Sequence, residues 1–138
     1  MKVLIDTNVI LDVAAERDAH IEHSAAFLDL CGIKIKGFMA ASQTTDIFNL
    51  LCRGGMDMPS AKAVISKLAD HVKVLDVTAV DVKNALTCEI PDYEDALLAY
   101  CAKRQKADYI VTRNQRDFEL SPVAAVSPEK FLEQFFSV

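Results

Sequence analysis

Apolar and polar positions along this chain switch repeatedly between a strand-like and a helix-like period. Val3-Leu4-Ile5 is a short unbroken apolar run that ends on Asp6, the form of a strand covered on both faces. Spacing then turns helical over 9–15, with a loop expected at Arg17. A second helix is expected over 20–31, where Ile21, Ala25, Phe27, Leu28 and Leu30 form the apolar stripe and Gly32 the stop. A second strand follows over 33–39. Ser42 caps a third helix that runs to Arg53 before Gly54-Gly55, and Pro59 opens a fourth with Ala63, Val64 and Leu68 inward. The pattern continues with a third strand over 72–77 and a fifth helix over 79–87 behind Thr78. A sixth helix starts at Asp92, and a fourth strand starts at Tyr109. A short strand is expected over 123–126, and a last helix from Pro128 at its first position to Phe136.

Strands alternating with helices predict an α/β fold, a mostly parallel sheet covered on both faces. Ligands of such sheets sit beyond the carboxyl ends of the strands, where Asp6 and Asn114 fall. The sixth helix adds acids to that end. Pro91 precedes it, Asp92 is placed to cap it, and Asp95 follows three residues on. The run Ala96 to Ala102 behind them is apolar nearly all round, so the acidic head belongs at the rim of a core. Capping alone is the plain alternative for these two acids.

Asp46 at the start of the third helix and Asp117 just past the fourth strand extend the acidic set. Two such charges about 4 Å apart at an effective dielectric near 20 repel by about 4 kcal/mol. Convergence therefore calls for protonation or a hard cation. Carboxylates without His or Cys suit Mg²⁺ or Mn²⁺, ions that activate water and stabilise a leaving oxygen in phosphodiester cleavage.

Composition narrows the field. At 138 residues the chain is expected to be one domain over 1–138, with 51% hydrophobic and 25% charged residues. A net charge of −5 argues against a passive nucleic-acid binder held by phosphate contacts, but not against a nuclease whose ions supply the positive charge. Cys31, Cys52, Cys88 and Cys101 form no Cys-x-x-Cys pair and read as small core residues. His20, His23 and His71 match no metal spacing. With no membrane-spanning run and no signal peptide, a cytoplasmic location is expected.

Three stretches together carry a family resemblance: Asp6-Thr7-Asn8 after a buried first strand, Asp95-Ala96 heading an apolar helix, and Ile110-Val111-Thr112-Arg113-Asn114 followed by Asp117-Phe118. In order and spacing, over essentially the whole chain, they resemble the PIN domain. Thr44-Thr45-Asp46-Ile47-Phe48 is similar to a subgroup with Asp where most members have Glu. The resemblance implies a three-layer α/β/α domain with a twisted sheet. It also implies a metal-dependent ribonuclease activity and, as in many bacterial members, the toxin of a VapC-type toxin–antitoxin pair. Asp6, Asp46 and Asp95 match the family's first three acids and its metal ligands. Asn114 matches a fourth position that is often Asp, and Asp117 an acid nearby with a catalytic role. Thr7, Asn8 and Thr112 match supporting positions, Asp92 is an additional acid ahead of the third with a supporting role, and Arg113 and Arg116 are candidates for RNA contact. The implied partners are RNA, a small antitoxin protein and a second copy of the chain. Asp46 shortens one ligand by a methylene, and Asn114 removes a charge.

Other readings share these features. A haloacid-dehalogenase-type phosphatase also begins with an Asp after its first strand, but it needs an acid two residues later, and Asn8 stands there. A degenerate domain that binds without cleaving, and a nuclease directed at DNA or at RNA processing, remain open on the sequence.

Overall fold

The chain is described here from a computed structural model covering residues 1–16 and 20–136; the loop expected at Arg17 lies outside them. Strands β1 (Lys2–Ile5), β2 (Lys36–Ala40), β3 (Lys73–Leu75), β4 (Tyr109–Val111) and β5 (Ala125–Val126) form one parallel sheet in the order β3-β2-β1-β4-β5. The described helices are α1 (Thr7–Ala14), α2 (Ile21–Leu30), α3 (Ala41–Arg53), α4 (Met58–Ala69), α5 (Ala79–Thr87), α6 (Tyr93–Arg104) and α7 (Pro128–Phe136), with a 3₁₀ turn at Gln115–Phe118.

Alternation along each strand divides the core in two. Val3, Ile5, Met39 and Val111 point into a core shared with Phe27, Ile47, Leu51 and Phe131, from α2, α3 and α7. Leu4, Phe38, Ala40, Leu75 and Ile110 point into the other, shared with Ala85, Ala96, Leu98, Ala99 and Cys101, from α5 and α6. Helices therefore cover both faces, and the α/β/α layering expected from the sequence is observed. Strand order reverses between β1 and β4, the place where parallel sheets open a crevice at their carboxyl ends. Ile5 is the register partner of Val111, so Asp6 and Thr112 emerge side by side into that crevice.

Several boundaries differ from the sequence reading. β2 starts at Lys36, because Gly32–Lys34 form a turn in which the Leu30 carbonyl accepts from the amides of Ile33, Lys34 and Ile35. Gly32 sits at φ +83°, as a helix stop requires. β3 ends at Leu75, where the Asp76 carbonyl turns aside to accept from Arg104 Nη2 at 2.7 Å. β5 is only Ala125–Val126. α1 begins two residues early, because Asp6 itself caps it. Ser42 does not cap α3, which begins behind Ala40. α4 starts at Met58 with Asp57 as its cap, and Ala63 faces outward while Ala61 is buried.

Candidate metal centre

Asp6 leaves β1 with extended backbone and stands 8% exposed at the head of α1. Its Oδ1 accepts from the Thr7 amide at 2.7 Å. Its Oδ2 accepts from the Thr112 hydroxyl at 2.7 Å and from Asn8 Nδ2 at 3.2 Å. Burial raises the Asp6 carboxyl above the ordinary range. The Thr112 and Thr7 hydrogen bonds oppose that, Asp117 adds to it, and Arg113 eases it. The Thr112 hydroxyl also accepts from the Asn114 amide at 3.0 Å, and Asn8 Oδ1 accepts from the Arg113 amide at 3.4 Å. The supporting positions Thr7, Asn8, Thr112 and Asn114 thus form a single network around Asp6.

Helix α6 supplies the second group of acids. It runs antiparallel to β4, so its N-terminus lies at the carboxyl end of the sheet. Asp92 caps it, accepting from the Asp95 amide at 2.9 Å; the capping and the site readings both apply to this residue. Burial and then the charges of Asp92, Asp6, Asp117 and Glu94 push the Asp95 carboxyl up to about 7. Glu94 is the residue that the sequence reading missed. Burial raises its carboxyl, and so does the charge of Asp46, with smaller pushes from Asp92 and Asp6. Glu94 on α6 thus stands close enough to Asp46 on α3 to feel its charge. The available signal was its place in the first turn, next to Asp95.

Asp117, on the 3₁₀ turn after β4, closes the crevice from the other side. A cavity of about 250 Å³ lies there, lined by Asp92, Asp95, Asp117 and Glu119, with Ile90, Pro91 and Leu120 as apolar walls and Arg116 as its one cation. The other candidate for RNA contact is placed differently. Arg113 Nε donates to Asp12 Oδ2 at 2.8 Å, and the Ser24 hydroxyl donates to the same oxygen at 2.8 Å. Asp12 is fully buried, and its Oδ1 has no hydrogen-bond partner. Arg113 is therefore committed behind the crevice as well as beside it. Gln43, also buried and also missed, holds the neighbouring helix in place. Its Oε1 accepts from the Ala40 amide at 2.7 Å, and its Nε2 donates to the Ile5 carbonyl at 2.8 Å and to Thr7 Oγ1 at 3.2 Å.

The donor set fits a hard divalent cation in its chemistry. The ionisable oxygen donors around the crevice are carboxylates, and burial together with their mutual repulsion pushes Asp95 up to about 7. Asp6 Oδ1, which accepts only from the Thr7 amide, keeps a lone pair beyond its hydrogen bond. Among the described residues, no three acids are already drawn together around one point, so holding an ion requires the side chains to converge on it.

A family profile of the PIN domain matches residues 2–116. Solved structures with the same fold include DNA-bound VapBC from Salmonella typhimurium, at 17% identity and TM-score 0.71 over 93% of this chain and 98% of that one. VapBC2 from Rickettsia felis, bound to a DNA fragment from its promoter, is similar at 12% identity and TM-score 0.69, over 92% and 98%. VapC20 from Mycobacterium tuberculosis, a sarcin-ricin loop cleaving toxin, is similar at 15% identity and TM-score 0.63, over 78% and 86%. Likeness at these identities carries the fold alone. No curated protein matches the chain significantly. The profile, however, runs from β1 through α6 to the turn after β4, the elements that carry Asp6, Asp46 and Asp95, and the chain belongs to the PIN-domain family.

Proposed function

We propose that this PIN-domain protein is a Mg²⁺- or Mn²⁺-dependent endoribonuclease, the toxin of a type II toxin–antitoxin pair. The observation that carries the reading is the Asp95 carboxyl, pushed up to about 7 by burial, by Asp92 at the head of its own helix, and by Asp6 and Asp117 from other elements of the fold. Ground-state repulsion of this kind is unfavourable for folding and is relieved when a cation binds.

When bound, the ion would lower the pKa of a water and take up charge developing on the phosphate. Asp6, Asp95 and Asp46 would hold it. Thr112, Thr7 and Asn8 fix the rotamer of Asp6, which keeps one ligand in place before the ion arrives. Asn114 and Asp117 would orient the attacking water, and Glu94 would add a further acid beside Asp46. Arg116 offers the cation nearest to an incoming phosphate, and Arg113 stiffens the loop that carries Asn114. Asn8 donates to Asp6 rather than standing ready as an acid, which favours hydrolysis by water over a phosphatase mechanism through an aspartyl intermediate.

Partners follow from the same reading: RNA as substrate, an antitoxin protein as inhibitor, and a second copy of the chain. The toxin–antitoxin complexes among the structural relatives support the antitoxin. Half-buried apolar residues of α2 and α4, among them Leu28, Leu30, Val64 and Leu68, support the pairing of two copies. A single domain over 1–138 and a cytoplasmic location belong to this reading. Among the described residues no helix is long and apolar enough to cross a membrane.

A second reading, a PIN domain that binds without cleaving, is favoured by Asn114 at an acidic family position and by carboxylates that are not yet gathered. The experiment is incubation of purified protein with structured and unstructured RNA and Mn²⁺, with and without EDTA, beside Asp95→Asn. Cleavage lost with EDTA and lost in the variant supports the nuclease. Cleavage that survives both contradicts it. Tight RNA binding without cleavage would favour the second reading.

A further inference from the structure

The amino end of the sheet carries the opposite charge from its carboxyl end. Lys2 on β1 is the register partner of Lys36 on β2, and Lys73 on β3 is the partner of Phe38, two positions beyond Lys36. Residues two apart share a face, so Lys2, Lys36 and Lys73 leave three adjacent strands on one side, the side that carries Leu4, Phe38 and Leu75. Adjacent strands lie about 4.8 Å apart, and like charges placed directly opposite are unfavourable.

Nothing among the described residues neutralises them. Among the described residues, no carboxylate reaches any of these lysines within ion-pair distance. Asp108 accepts from the Lys2 backbone amide, not from its ammonium, and Asp76 is engaged by Arg104 and Gln105. The lysines border a cavity of about 600 Å³ whose lining also includes Lys34, His71 and Gln105, and includes no Asp or Glu. This concentration of cations stands in a chain with 20 acids and 15 Lys and Arg. Phe38 and Leu75 add apolar lining on the lysine side.

We propose that this cavity is a binding site for a nucleoside polyphosphate. Several phosphate charges are needed to bring four lysines together without repulsion. Lysine serves phosphate as a compact point charge. A volume of this size suits one nucleotide, with apolar wall for the base and cations for the phosphates. The site lies at the far end of the strands from Asp6 and Asp95, so it stands or falls independently of the nuclease reading.

The test is calorimetric titration of the whole protein with tripolyphosphate, ATP and a short single-stranded RNA, in EDTA, so that no ion bridges phosphate to the acidic crevice. The variants are Lys36→Gln/Lys73→Gln and the control Lys62→Gln/Lys67→Gln on α4. Lys36 and Lys73 are exposed, so the first variant folds, and its melting temperature should equal or exceed that of the wild type once the repulsion between Lys2 and Lys36 is gone. We expect one ATP per chain, weaker binding of tripolyphosphate, and a loss of at least about tenfold in ATP affinity in the first variant alone. Absence of ATP binding overturns the proposal. So does equal weakening in both variants. RNA binding without ATP binding overturns it too, because a groove for an extended strand is a different site.

Discussion

Thr112 donates its hydroxyl to Asp6 at 2.7 Å across 106 positions of sequence. The bond follows from register: Ile5 pairs with Val111, so the next residue of each strand leaves the sheet beside the other. Two parallel neighbours at a reversal of strand order thereby place an acid and its supporting hydroxyl together before any loop is specified. The rest of the crevice is built onto that pair by the heads of α6 and α3.

Metal-free stability should depend on pH through Asp95. Its folded-state pKa lies near 7, against an ordinary 3.8, so between those values the unfolded chain has lost a proton that the folded chain keeps. Stability contributed by this group is therefore present below 3.8, falls as pH rises toward about 7, and is flat above. Melting in EDTA at about pH 5 and about pH 8 should show the wild type losing more than Asp95→Asn. Asp95→Asn should melt higher than the wild type at about pH 8 and gain nothing from Mg²⁺, while the wild type gains. An equal pH response in both proteins would contradict this. Asp6→Asn should not share the gain, because both Asp6 oxygens accept hydrogen bonds and an amide cannot accept at both.

Much of this was legible in the chain. Val3-Leu4-Ile5 ending on Asp6, and the capped acidic head of α6, identify the buried strand and the crevice because burial on both faces erases polar alternation. What escaped was decided by partners distant in sequence. Gln43 reads as an ordinary polar residue on a helix, yet it replaces the missing side-chain cap at Ala40 and ties α3 to the Ile5 carbonyl. Asp12 reads as a helix-surface acid, yet it is buried because Arg113 and Ser24 meet it there. The strand ends at Lys36 and Leu75 were misplaced because turns that capture a carbonyl, at Leu30 and at Asp76, leave no trace in hydrophobic period.

The Arg113–Asp12 pair should be structurally critical. Arg113→Leu leaves the Asp12 charge buried without its cation, and loss of one partner of such a pair costs about 3–5 kcal/mol. Urea denaturation should show that loss, and Asp12→Asn/Arg113→Leu should recover part of it. A single variant within about 0.5 kcal/mol of wild type, the range of neutral surface changes, would show that the pair is not anchored as described.

Glu94 should act on the ion through Asp46. Glu94→Ala removes the carboxylate beside Asp46, and loss of such a supporting group typically costs about 10–100-fold in metal affinity. Titration with Mn²⁺ should show at least about a tenfold loss, while Glu119→Ala, in the cavity beside Asp95 and Asp117, changes affinity little. Equal affinities in wild type and Glu94→Ala would remove Glu94 from the site.

The central claim is that these acids hold an ion that directs water onto a phosphodiester. The most direct measurement is the chemistry of the cut ends, determined by labelling and mass spectrometry on RNA cleaved by wild-type protein with Mn²⁺, beside Asp6→Asn and Asp95→Asn. Attack by water predicts 5′-phosphate and 3′-hydroxyl ends, formed by the wild type only. Ends carrying a 2′,3′-cyclic phosphate, or the same products from either variant, would contradict it.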